Sequence, residues 1–244
     1  MLPSVEVLAI GLILGLYLQD TVLLLYDNEG VLESTGPGQF RVLFGARSFN
    51  VAGRNPLVPN PLTPWRPLFR FAWHVEASSS QDLLRANTTP ESVQAALDGL
   101  AWATAVIASG LLVGLPTCLY WSLGWVPFVA VVAVTYLGVV GMLVHLWRKR
   151  AQLGIGISQL IGLTFESLVC APCALNLPRK VSSRVNMPED LLDAARGRLS
   201  KSEFHRAVEL IIGFVDEDLK SAEADSAEWS ALTQYRARLA GRLA

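Results

Sequence analysis

Residues 100–147 run for 48 consecutive positions without an Asp, Glu, Lys or Arg. A helix on the surface of a soluble domain keeps one polar face, so an uncharged stretch of this length restricts the chain to a deep core or a bilayer. At about 1.5 Å per residue it is too long for one crossing of a ~30 Å hydrocarbon layer and suits two. The sequence therefore predicts a helical hairpin with spans at 100–120 and 125–147. Pro116, Gly124 and Pro127 weaken helix near the break, and Tyr120, Trp121 and Trp125 suit a headgroup interface. Composition agrees, with 52% hydrophobic and only 17% charged residues where soluble domains carry about 25% charged.

A further apolar stretch, residues 5–26, reads as a third span, with Glu6 at one end and Gln19 and Asp20 near the other. It lacks the positive leading region and small-residue cleavage site of a signal peptide, so it is expected to be retained. All 20 basic residues fall within 41–85 or 148–242. Trp147-Arg148-Lys149-Arg150 closes the last span with an aromatic anchor and three cations, the mark of a cytoplasmic end. Counting back, the hairpin tip and the amino terminus lie outside, and the 27–98 loop with its six arginines lies inside. The expected fold class is a mainly α membrane protein with three transmembrane helices, N-out and C-in. A small antiparallel β segment occupies its first cytoplasmic loop, and a helical tail follows the spans.

Within that loop, Asp27-Asn28-Glu29-Gly30 is one turn signal and Gly36-Pro37-Gly38 another, and Val31–Ser34 and Gln39–Phe44 around the second read as a hairpin, with Phe40, Val42 and Phe44 alternating along one strand. Ser48–Val51 and Leu68–Trp73 offer further strands. Between them, prolines at 56, 59, 61, 64 and 67 favour polyproline II, so Pro61, Pro64, Trp65 and Arg66 are candidate partner-binding residues. The plainer expectation is a stiff connector laid across its own domain. Residues 78–92 read as a polar linker with a short helix leading into the second span.

Residues 151–178 form an expected interfacial amphipathic segment, too polar and short for a fourth crossing. Arg148, Lys149, Arg150, Arg179 and Lys180 are the expected lipid-headgroup contacts. From 188 to 244 the tail reads as three helices, starting at Pro188, at a Ser200-x-x-Glu203 capping box and at an Asp225-x-x-Glu228 box. The second carries a stripe of Phe204, Val208, Ile211, Ile212, Val215 and Leu219; the third carries Trp229, Leu232, Leu239 and Leu243, interrupted by Arg236.

Cys170-Ala171-Pro172-Cys173 is the one motif with a ready chemical meaning, since two thiols at this spacing can close a disulfide. No βαβ pattern surrounds it, and the favoured expectation is a pair of small, reduced, half-buried cysteines in a cytosolic compartment. With Cys118, His74, His145 and His205 dispersed over separate segments, no metal is expected, and no cofactor motif is present. Asp20 with Gln19 is a candidate intramembrane polar pair, because carboxylates in spans are rare and often functional. Gly110-x-x-x-Gly114 and Gly138-x-x-Gly141 supply smooth surfaces for helix packing.

The functional expectation is a non-enzymatic integral membrane scaffold, anchoring or accessory subunit. Its expected partners are the lipid bilayer and either another protein or a second copy; no basic nucleic-acid-binding domain is present. A multi-pass place in a bacterial inner membrane suits this plan. The alternatives are a membrane thiol oxidoreductase using Cys170 and Cys173, or a small transporter component using Asp20.

Overall fold

The computed structural model describes residues 4–73, 89–185, 187, 189–223 and 226–242. It is 63% helical with a small antiparallel sheet, so helix packing dominates the architecture. Helix α1 spans Val5–Thr21, and the chain then passes through strands β1 (Leu23–Leu25), β2 (Glu29–Gly36), β3 (Gln39–Phe44), β4 (Asn55–Leu57) and β5 (Leu68–Ala72). The helices that follow are α2 (Pro90–Leu97), α3 (Ala101–Ser109), α4 (Leu115–Tyr120), α5 (Trp125–Lys149), α6 (Ile157–Val169), α7 (Ala171–Ala174), α8 (Leu177–Arg184), α9 (Leu191–Ala195), α10 (Lys201–Ser221) and α11 (Ala227–Gly241).

Two helices among the described residues are long and apolar enough to cross a membrane. One is the 31-residue run Pro90–Tyr120, mean hydropathy 1.7; the other is α5, 25 residues, mean hydropathy 2.3. The first begins ten residues before the expected boundary of 100, because Thr89 caps it with a reciprocal Thr89/Ser92 box and Pro90 stands at a position that needs no donor. Asp98–Leu100 tightens to a 3₁₀ turn and Gly110–Gly114 widens to a π turn. Pro116 has no N–H to return to the Leu112 carbonyl, which is a local reason for the wider turn. The break falls at Trp121–Gly124, where Ser122 and Gly124 adopt positive φ.

The expected first span needs correction. Its helix stops at Thr21 after 17 residues, and Leu23–Leu25 pair instead with Leu57, Pro56 and Asn55 of β4. Asp20 therefore sits in the last turn of α1 rather than inside a longer span. All three apolar helices nonetheless leave large side chains uncovered: Val5 is 78% exposed, Leu12 62%, Val126 77% and Leu137 70%. Water would penalise that surface by about 25 cal/mol per Å².

Strands β3, β2 and β5 lie in that order, with Leu32 opposite both Val42 and Phe69. The Gly36-Pro37-Gly38 turn joins β2 to β3 as its composition predicts. Ser48–Val51 makes no strand; only Val51 bridges Arg54. Gly30 of β2 faces α9 so closely that a Cβ there would lie 2.7 Å from Leu191 Cδ2.

The tail docks on the sheet. Phe214 of α10 meets Phe44 edge-on at 5.4 Å and stacks on Trp73 at 5.9 Å, while Arg47 reaches Asp218 at 3.0 Å. Ala207, Val208, Ile211 and Val215 form the buried stripe of α10, and Ser200 and Glu203 complete its capping box. Ser226, not Asp225, caps α11 by accepting from the Trp229 N–H. Tyr235 and Leu239 are the buried residues of α11, whereas Trp229 is partly exposed and Arg236 pairs with Asp216 at 2.5 Å. His74, the 78–88 part of the linker, Pro188, Asp225 and Leu243 lie outside the described residues. One continuous apolar core runs from Tyr17, Ile107 and Met142 through Phe69 and Trp73 to Val208 and Tyr235.

Candidate functional site

Helix α8 gathers residues that the sequence scatters over 160 positions. Lys180 Nζ lies 2.5 Å from Asp20 Oδ1 at the end of α1 and 2.5 Å from Glu166 Oε1 of α6. Asn176, one turn earlier, donates its amide to Asp20 Oδ2 and Thr21 Oγ1, each at 3.1 Å. The Tyr17 hydroxyl donates to the Pro61 carbonyl. Asp20 is thus held by an ammonium and an amide. Gln19 is exposed.

Cys170 and Cys173 are joined in a disulfide with a Cα separation of 5.3 Å, and both are half-buried. This departs from the expected reduced pair. Helix α6 ends at Val169 and α7 begins at Ala171 with Pro172 in its first turn, so Cys170 is the break between the two helices. The Cys173 sulfur and one carboxylate oxygen from each of Asp20 and Glu166 lie within 4.8 Å of one another. Lys180 bonds both carboxylates, so one of their two negative charges is compensated within the cluster.

Two expected headgroup contacts are corrected here. Arg179 is only 2% exposed and donates to the Asn60 and Thr63 carbonyls at 2.7 and 2.8 Å. Burial pulls its guanidinium below the usual arginine range, opposed by Tyr17 and by Glu33, a fully buried carboxylate bonded to Arg41. Lys180 is committed to its two carboxylates. Both side chains point into the protein because α8 packs against β5 and the proline segment; from sequence alone their charge read as surface. Arg148 is exposed, and Lys149 and Arg150 are partly exposed, at the end of α5.

The proline segment lies across its own chain, fixed by Tyr17 and Arg179 through its backbone carbonyls. Pro64 is buried and Pro61 partly so. Trp65 and Arg66 remain on the rim of a groove of about 300 Å³ whose opposite wall is Gln94, Leu97 and Asp98. A second, apolar groove of about 540 Å³ runs between α3 and α5 along Gly110, Gly114 and Val131. The His145 ring packs against Gly99 and bonds the Ala96 carbonyl at 2.9 Å.

Sequence reasoning singled out Asp20 and the two cysteines separately. It missed Glu166, Asn176 and Lys180 as their neighbours, and no spacing signal links residues so far apart. Comparison with protein-family models, curated proteins and solved structures gives no match.

Proposed function

We propose that this chain is a multi-pass protein of a bacterial inner membrane. In this reading α1, Pro90–Tyr120 and α5 are inserted N-out and C-in, and the sheet and α9–α11 form one cytoplasmic domain serving as a scaffold or anchoring surface for another protein. The observation that carries it is the unbroken apolar core from Ile107 and Met142 to Val208 and Tyr235, which ties the domain firmly to the apolar helices. The exposed apolar rows on those helices call for a lipid solvent, and Arg148, Lys149 and Arg150 mark the cytoplasmic end of α5. Helix α1 reaches about 26 Å at 1.5 Å per residue, a mismatch that local bilayer thinning accommodates.

The groove beside Trp65 and Arg66 is the proposed partner seat, since an exposed Trp beside a partly exposed Arg has the character of an interface anchor. Purification from mild detergent should recover a partner with the wild-type chain and lose it with Trp65→Ala/Arg66→Ala. A wild-type chain that elutes alone as a monomer contradicts the scaffold reading. Labelling of an introduced cysteine at the exposed Ala240 (Ala240→Cys) by an impermeant thiol reagent added to intact cells contradicts the orientation.

A further inference from the structure

We propose that Cys170 and Cys173 are a thiol–disulfide exchange site, with Asp20 and Glu166 serving as its proton acceptors and Lys180 positioning them. Two observations and one consequence of the proposed orientation converge on it. The cysteines are joined to each other, and neither is fully buried. The charged cluster surrounds Cys173, whose sulfur shares a 4.8 Å neighbourhood with both carboxylates. Under the proposed orientation, on which this point alone rests, the pair faces the cytosol, where thiols are kept reduced and the disulfides that do form are mostly transient and catalytic or redox-sensing.

The position of the carboxylates assigns the roles of the two sulfurs. Starting from the dithiol, the Cys170 thiolate attacks a disulfide in a membrane-associated protein. A Cys170–substrate disulfide forms, the substrate S–S bond breaks, and the released thiolate takes a proton from water. Cys173 then gives its proton to Asp20 or Glu166, directly or through one water. Its thiolate attacks the Cys170 sulfur, closing Cys170–Cys173 and expelling the second substrate thiolate, which accepts a proton. The substrate gains two electrons and the cysteine pair loses two. Two equivalents of a cytosolic low-molecular-weight thiol restore the dithiol by the reverse exchanges. The oxidised pair in the structure corresponds to the end of one turnover. Lys180 bonds both carboxylates and holds them beside Cys173, so it is a positioning residue.

The test uses the full chain in detergent micelles, reduced with dithiothreitol and desalted, and a self-quenched fluorescent peptide disulfide as probe. Wild type should reduce one probe per chain in a rapid burst. Cys170→Ser should give none, and Cys173→Ser should trap the probe on Cys170 as a mixed disulfide visible by mass spectrometry. Glu166→Gln with Asp20→Asn should leave the first exchange intact and slow resolution at least tenfold, so that the mixed disulfide accumulates in a chain with both cysteines. Glu166→Asp should restore part of the rate, which a packing role at this half-exposed position would not do. The inference is overturned if dithiothreitol cannot open the disulfide in the folded chain. It is equally overturned if Cys173→Ser traps nothing, or if the carboxamide variants resolve as fast as wild type. These readouts need neither a partner nor a membrane orientation, so their failure is separate from failure of the scaffold reading.

Discussion

Truncating Phe214 should detach the C-terminal helices from the sheet more than any other single change at that seam. Its ring stacks on Trp73 at 5.9 Å, meets Phe44 at 5.4 Å and lies 4.2 Å beneath the Arg47 guanidinium. Complete burial would put the cost of Phe→Ala at about 3–5 kcal/mol. Phe214 is half-buried, which reduces this to roughly 2 kcal/mol. The lost aromatic and cation–π geometry adds on the order of 1 kcal/mol. Phe214→Ala should therefore destabilise docking by ~3 kcal/mol and Phe214→Leu by about half that. Urea titration in micelles, followed by near-ultraviolet circular dichroism, reads the rigid packing of Trp73 directly. A loss below about 1 kcal/mol for both variants would refute the view that this aromatic seam joins the two parts of the domain.

Other expectations follow from single contacts. Gly110→Ala drives a Cβ into Thr135 Oγ1 and should separate α3 from α5 at a cost of about 1–3 kcal/mol. Gly141→Ala, which meets nothing within 4 Å, is the neutral control, and protease resistance in micelles distinguishes them. Acid should loosen the α10–α11 pair. Arg236 beside Asp216, and the Ser200 hydroxyl and N–H beside Glu203, hold both carboxyls below their ordinary values of 3.8 and 4.5. A depressed carboxyl stabilises the fold above its unfolded value and loses that contribution as pH falls through the folded one. Helical circular dichroism should accordingly fall in a window below about pH 4, and Asp216→Asn/Glu203→Gln should flatten that limb.

Much of the local structure is legible in the residues. Gly36-Pro37-Gly38, the alternation of Phe40, Val42 and Phe44, the capping box at Ser200 and the stripe on α10 each express chemistry contained within a few neighbouring positions. The end of α1 was not legible. Leu23–Leu25 continues an apolar run that would suit a helix, and it becomes a strand because Asn55–Leu57, some 30 residues on, satisfies its backbone. Likewise Arg236 looked like a flaw in an apolar stripe until its partner Asp216 was placed opposite it. Tyr235, one residue away, is the side chain that enters the core.

The sequence by itself determined where charge is forbidden and where it collects, because apolar spans and basic flanks are properties of composition along a line. It also marked Asp20, Cys170 and Cys173 as unusual. Only the tertiary structure brought them together through Lys180 and Asn176, and only it buried Arg179, whose charge had suggested a lipid-facing surface. The physical reason is common to both cases. A charged side chain is tolerated wherever partners compensate its desolvation, and those partners come from α1, α6 and the proline segment, whose approach to α8 is decided by packing over the whole chain.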